Sequence, residues 1–281
     1  MRISDLIQPG VGQPAPGVDF KQVRLFIAIP TRGVCATQFA VSIARSVAVL
    51  THLGADCQFW RGESDCCVDF NRNRLLAEFI KQGFTHLWMV DDDMGFDPSA
   101  IIGMLRKDKD FIAAAGPKKG DTEEYAVKLD CNPDETPIQA NGLLRASMVG
   151  GAFMLLKRQA VLDVMAYHVS RRCSFVDEEY GYSLFQHSYT RTSFVTEDYT
   201  FCQRWLEAGK EIWIYPNVDF THTGIKEWRG NLHNQLLAAP KPDPAPTMGR
   251  RTTIDDLIER IRSGEIKPKA APRPIAQELL Q

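Results

Sequence analysis

Short apolar runs alternate with segments of helical spacing through the first half of this chain, and that alternation narrows the fold more than any other feature. Residues 24–30 (RLFIAIP) are an apolar run closed by a proline, and 86–90 (HLWMV) and 111–115 (FIAAA) are two more. Runs of this length, apolar on both sides, suit strands buried in a sheet. Between them lie 36–53, closing on Gly54, and 70–82, with Leu75, Leu76, Phe79 and Ile80 on one face and Gly83 behind. A third such segment, 98–107, opens on Pro98. Glycine just past the last turn and proline in the first turn are helix-end signals. A further strand is expected around 58–60. The alternation predicts an α/β fold, with a Rossmann-like, mostly parallel sheet flanked by helices.

The rest of the chain is less regular. Residues 120–139 are polar and loop-like. Residues 147–156 (SMVGGAFMLL) read as one strand carrying a glycine pair, 159–167 as a helix, 196–208 as a helix followed by Gly209, and 211–215 as a strand. Residues 171–193 are rich in aromatics, hydroxyls and charge and follow neither period. Three parts are expected: an irregular arm over 1–20, one domain over 21–238, and a tail over 239–281. The tail combines a Pro-rich linker with a short amphipathic helix at 252–263, where Ile254, Leu257, Ile258 and Ile261 share a face. A helix this short is not stable alone. Packing on the body, self-association or docking of a partner is its expected use.

Composition excludes several classes. The net charge of -2 over 281 residues gives no general attraction to nucleic acid or to an anionic membrane. The seven cysteines are scattered and odd in number, with no C-x-x-C pair, which argues against a disulfide framework or a structural zinc site. No run of about 20 apolar residues is present, so no membrane span is expected. The N-terminus has no secretory h-region. A cytoplasmic location follows, the host cytoplasm if the chain is phage-encoded.

Asp91, Asp92 and Asp93 directly follow the apolar run 86–90. Ligands of open α/β sheets bind beyond the carboxyl ends of strands, and carboxylates there can hold a hard divalent cation. Aspartate after a strand is equally an ordinary turn former. If the segment is extended, Asp91 and Asp93 share a direction and Asp92 points aside. Three like charges also require a positive partner. Glu197 and Asp198 open the helix of 196–208, where they complement its dipole or serve as a general base. His222, in VDFTHTG, is either structural or the imidazole of a carboxylate-bound metal. Pro30, Thr31 and Arg32 lie in the turn after the first strand, suited to meet a nucleotide. That turn is neither G-x-G-x-x-G nor a P-loop.

In chain order, IPTRG, NRNRLLAEF, THLWMVDDDMGFDP, AAAGPKK, VGGAFMLLKR, TEDYTFCQRW and THTG resemble a GT-A fold glycosyltransferase, of the family-2-like and Anp1-like branch in bacteria and phages. The resemblance spans about 26–224. It implies a GT-A-type sheet with an irregular acceptor region, and a nucleotide-diphosphate sugar, UDP-linked, as donor. It implies Mn²⁺ or Mg²⁺ held by Asp93, Asp91 and His222. Pro30, Thr31, Arg32, Arg72, Asn73, Asp91 and Asp92 would contact the donor, with Gly150 and Gly151 forming the loop at the sugar. Asp198 would be the base of an inverting transfer, with Glu197 beside it. Lys118 and Lys119 would assist with phosphate or form a solvated loop pair. The implied acceptor is a hydroxymethylated base in phage DNA. The alternatives are a saccharide or protein acceptor, a nucleotidyltransferase, and a non-catalytic nucleotide-sugar-binding or scaffold protein.

Overall fold

A computed structural model describes residues 18–62, 67–189, 191–224, 226–238 and 263. Most of the arm expected over 1–20 and the tail helix expected at 252–263 lie outside the described residues, Ser263 excepted.

The chain opens with β1 (Arg24–Pro30), α1 (Thr37–His52), β2 (Asp56–Gly62), α2 (Val68–Gln82) and β3 (His86–Val90). β1 lies parallel to both β2 and β3, with Ile27 opposite Phe59 and Trp88. The helix α2 stops at Gly83, whose φ of 69° is the left-handed conformation that a side chain disfavours. After β3 come β4 (Met94–Gly95), α3 (Ser99–Lys107) and β5 (Phe111–Ala113). The second half adds β6 (Val127–Leu129), β7 (Gln139–Ala140), β8 (Leu143–Val149), β9 (Phe153–Lys157) and α4 (Arg158–Tyr167). A hairpin of β10 (Ser188–Tyr189) and β11 (Phe194–Val195) leads into α5 (Glu197–Glu207). The described body closes with β12 (Ile212–Ile214), β13 (Phe220–Thr223), β14 (Glu227–Gly230) and α6 (Leu232–Ala238).

The main sheet runs β2-β1-β3-β9-β5-β12-β8-β6, with β7 on β8. β2, β1, β3, β5 and β12 point one way, and β9 and β8 run against them. The expected α/β architecture is present, a mostly parallel sheet flanked by helices. Residues 147–156 do not form the single strand expected of them. The chain turns at Gly150–Gly151, so β8 and β9 occupy different places, separated by β5 and β12. A glycine pair weakens a strand and tolerates the close backbone approaches described below. Residues 120–139, expected as loop, contribute β6 and β7 to the sheet edge.

Strand alternation divides the core into two layers. Phe26, Leu87, Met89 and Phe111 face α2, α4 and α5 through Leu76, Phe79, Val161, Phe201 and Trp205. Leu25, Ile27, Trp88 and Ile112 face α1 and α3 through Phe39, Leu50, Ile101 and Met104. Helices on both faces bury both sides of the central strands, which explains why those strands read as unbroken apolar runs. The carboxyl ends of β1 and β3 lie side by side, so Thr31 and Asp91 emerge together. A second, three-stranded sheet, β14-β13-β4, places His222 opposite Met94, next to Asp93. Among the described residues no helix is long and apolar enough to cross a membrane.

Phe26 is fully buried, stacked on Trp60 at 4.3 Å and edge-on to Phe79 and Phe84. Phe26→Ala is expected to cost about 3–5 kcal/mol, read as a lowered urea midpoint.

Candidate active site

The three aspartates after β3 lie in a turn closed by Met94 N–H donating to the Asp91 carbonyl at 3.3 Å. This corrects the expectation of an extended segment in which Asp91 and Asp93 point together. In a turn each carboxylate goes its own way and finds its own partner. Asp91 meets Arg72, and Asp93 meets Lys119 and His222. Asp92 meets the Thr31 hydroxyl, and its carbonyl receives the Ala36 N–H at 2.9 Å. The charges of Asp91 and Asp93 are thereby offset by cationic side chains from separate parts of the chain, and Asp92 is turned away to a hydroxyl.

Arg72, on α2, is only 3% exposed. Its Nη2 donates to Asp91 Oδ1 at 2.9 Å and Oδ2 at 3.3 Å. Its Nη1 donates to the Gly151 carbonyl at 2.8 Å, and its Nε lies 3.4 Å from Glu197 Oε1. A Cβ on Gly151 would collide with the guanidinium, so this approach requires glycine. Burial opposes the charge on Arg72, but Asp91, Glu197 and Asp198 outweigh it and raise its pKa. Burial likewise pushes the carboxyls of Asp91 and Glu197 up, against the pull of Arg72.

Arg72 and Asn73 are therefore not the donor contacts expected of them. Arg72 is buried and binds Asp91 and the Gly151 carbonyl through its two terminal nitrogens, while its Nε lies beside Glu197 without a hydrogen bond. Asn73 is buried, with Oδ1 accepting from Leu184 and Phe185 N–H at 2.9 Å each and Nδ2 donating to the Phe185 carbonyl at 2.7 Å. It fastens residues 184–185 to α2. The other expected donor contacts differ in character. Pro30 is buried at the end of β1, Arg32 is exposed, and Thr31 Oγ1 accepts from Gly33 N–H at 3.0 Å.

Asp198 stands in the first turn of α5, where its carboxylate is fixed from three directions. Oδ2 accepts from Gly151 N–H at 2.9 Å. Oδ1 accepts from Tyr199 N–H at 2.8 Å and from the Thr196 hydroxyl. A carboxylate has about four acceptor sites, so one remains. At Gly150 a Cβ would come within 2.9 Å of Ala126 Cβ and 3.6 Å of Asp198 Oδ2, so both glycines make room for this arrangement. Glu197, by contrast, is buried between Arg72 and His187. Of the two adjacent acids, Glu197 is held in ion pairs, whereas Asp198 is half-buried and keeps acceptor capacity.

His187 joins this cluster, with Nε2 3.3 Å from Glu197 Oε2 and Nδ1 3.5 Å from Asp69 Oδ2. Nothing in the sequence separates it from the other histidines, because its segment has no period and its partners are 10 and 118 positions away.

On the other side of the turn, His222 Nδ1 donates to the Pro117 carbonyl at 2.7 Å, which leaves Nε2 facing Asp93 Oδ2 at 3.3 Å. Asp93 Oδ1 is buried with no hydrogen-bond partner. One carboxylate with an unpartnered oxygen and one oriented imidazole fit a divalent cation that completes its shell from phosphate and water. Asp91, expected to join them, is turned to Arg72. Among the described residues no group of three His, Cys, Asp or Glu is close enough to enclose a metal. Lys119 Nζ lies 2.5 Å from Asp93 Oδ2, while Lys118 pairs with Glu124 on the loop surface. Burial alone would raise the Asp93 carboxyl; the His222 ring and the Lys119 ammonium beside it reverse this and hold it below the usual carboxylate range. Two open clefts of about 630 and 490 Å³ flank β13 but are not lined by these acids.

No family model matches the sequence, and no curated protein does. Among solved structures, the chain is similar to A197 from STIV at 14% identity and a TM-score of 0.45, over 72% of this chain and 86% of that one. It is similar to the nucleoside-diphosphate-sugar pyrophosphorylase from Vibrio cholerae at 15% identity and a TM-score of 0.30, over 68% and 71%. It is also similar to mannose-1-phosphate geranyltransferase from Thermus thermophilus at 9% identity and a TM-score of 0.37, over 69% and 73%. Likenesses this distant do not transfer an activity.

The charges of the site lead to two predictions. Arg72→Met leaves the buried Glu197 and the half-buried Asp91 without their cation and is expected to destabilise the protein by about 3–5 kcal/mol, measured by urea unfolding at neutral pH. Asp93 has a lowered folded pKa, so the native state binds fewer protons there than the unfolded chain does. Its stabilisation is complete above the unfolded value of about 3.9 and is lost as pH falls through the folded value. Asp93→Asn should therefore lose less stability than the wild type between neutral pH and pH of about 3.

Proposed function

We propose that the protein transfers a sugar from a nucleotide-diphosphate sugar, UDP-linked, to an acceptor hydroxyl. The observation that carries this reading is the division of the site about Arg72. On one side Asp93 offers an unpartnered buried oxygen beside His222. On the other, Asp198 is held by the Gly151 N–H with acceptor capacity to spare. The Gly151 carbonyl and Asp91 are both bound to Arg72, which links the two halves.

Asp93 and His222 would hold Mn²⁺ or Mg²⁺, whose contribution when bound is to stabilise charge on the departing diphosphate. The chain's own part is proton transfer and placement. Asp198 takes the proton of the acceptor hydroxyl as that oxygen bonds to the anomeric carbon. The bond from that carbon to the diphosphate oxygen breaks, and the nucleoside diphosphate leaves with the electron pair. A single base set apart from the cation side suits attack opposite the leaving group, hence inversion. The acceptor hydroxyl belongs to a saccharide, to a protein or to a modified base in DNA. Nucleotidyl transfer would use two metals, and the commitment of Asp91 to Arg72 counts against a second one.

The test is product analysis with a panel of nucleotide sugars and Mn²⁺. Release of nucleoside diphosphate is expected; release of pyrophosphate would overturn the proposal. Asp198→Asn should lower transfer by about 10²–10⁴-fold while nucleotide still binds. Full transfer by that variant would remove Asp198 as the base.

A further inference from the structure

Next to the candidate base the chain exposes two large rings. Tyr189 is 79% exposed and Phe194 is 55% exposed. They are register partners across the β10–β11 hairpin, with ring centroids 5.3 Å apart and planes at 57°. The His187 ring stacks on Phe194, also at 5.3 Å, with an interplanar angle of 22°. Core packing accounts for other aromatics of this segment: Phe185 is buried, and Tyr180 and Tyr182 pack against the core. It does not account for Tyr189 and Phe194. Single exposed rings are ordinary on protein surfaces; here two adjoin on one short hairpin, with the His187 ring stacked beside them.

The hairpin is fastened to the candidate base. Strand β11 passes through Thr196 directly into Glu197 and Asp198. Ser188 Oγ lies 3.0 Å from Thr200 Oγ1 on α5, and His187 Nε2 lies 3.3 Å from Glu197 Oε2. A third exposed ring, Phe175, rests on Phe70 at 5.4 Å, and Phe70 follows Asp69, the second carboxylate on His187.

We infer that Tyr189 and Phe194 form the acceptor subsite, and that the acceptor is a neutral saccharide whose ring lies against them. The inference rests on the transferase reading above and selects among its acceptors. An aromatic face presents an apolar plane. A sugar ring supplies a complementary C–H face, while its hydroxyls stay at the rim, and the strand that carries Phe194 leads into Asp198. Charge decides against DNA. Within the segment Arg171, Arg172 and Arg191 are matched by Asp177, Glu178 and Glu179, and the whole chain is at -2. DNA binding draws most of its affinity from cations that neutralise phosphates, and this segment has no excess of them.

The test is ligand-observed NMR on the full chain, with and without UDP and Mg²⁺. The probes are neutral oligosaccharides (malto-, cello-, xylo-, manno- and chito-hexaose) and a DNA duplex carrying 5-hydroxymethylcytosine. At least one oligosaccharide should bind. The Tyr189→Ala/Phe194→Ala variant should bind it about tenfold more weakly or worse, and Tyr189→Trp/Phe194→Trp should restore it. Both side chains are exposed, so the variant should keep the wild-type melting temperature, and UDP binding should be unchanged. Three results would overturn the subsite: no oligosaccharide bound by wild type, equal binding by the alanine variant, or DNA bound instead. Failure of UDP to bind the wild type would count against the transferase reading alone, because saccharide binding is read without nucleotide too.

Discussion

The buried guanidinium of Arg72 is the contact on which the site depends. It joins α2 to the end of β3 through Asp91, to the glycine turn through the Gly151 carbonyl, and to α5 through Glu197. Removing a charge from water is costly, and only near-complete pairing offsets it. The reverse also holds: without Arg72, the buried Glu197 and the half-buried Asp91 would be like charges with no cation between them. The two glycines at 150–151 then follow as a requirement, since a side chain at 151 would occupy the position of the guanidinium. One cation thus fixes where the strand end, the turn and the helix start relative to one another.

The same balance explains how three consecutive aspartates are tolerated. Arg72 comes from a helix that precedes them, Lys119 from a loop that follows, and His222 from the separate three-stranded sheet. Asp91 is committed to the structure, whereas Asp93 keeps one oxygen without a partner. That difference separates a structural acid from one suited to bind a ligand.

Much of the fold was legible in the sequence, because burial on both faces leaves unbroken apolar runs such as RLFIAIP and HLWMV, and helix ends carry marks such as Gly83. The turn at Gly150–Gly151 was not, since apolar residues on both sides of it carry no mark of which strand each half joins. The three consecutive acids are visible in the sequence, and the place of Glu197 and Asp198 at a helix start is too, although a helix start alone leaves a dipole partner and a base equally open. Their directions were not visible: a turn after β3 undid the alternation that an extended segment would give. Arg72 and Asn73 entered only through the resemblance, as donor contacts, and their partners at Asp91, Gly151, Leu184 and Phe185 are brought near only by the fold. His187 was missed for the same reason, as its partners Asp69 and Glu197 meet only after folding.

The central proposal is that the carboxyl end of β3 binds a nucleotide diphosphate through a cation on Asp93 and His222. The most direct measurement is the melting temperature of the full chain with nucleoside diphosphates, in the presence of Mn²⁺ and again with EDTA. A ligand that binds only the native state raises that temperature. UDP is expected to raise it with Mn²⁺, and the rise is expected to vanish with EDTA. No shift from any nucleoside diphosphate, with or without the metal, would contradict the proposal.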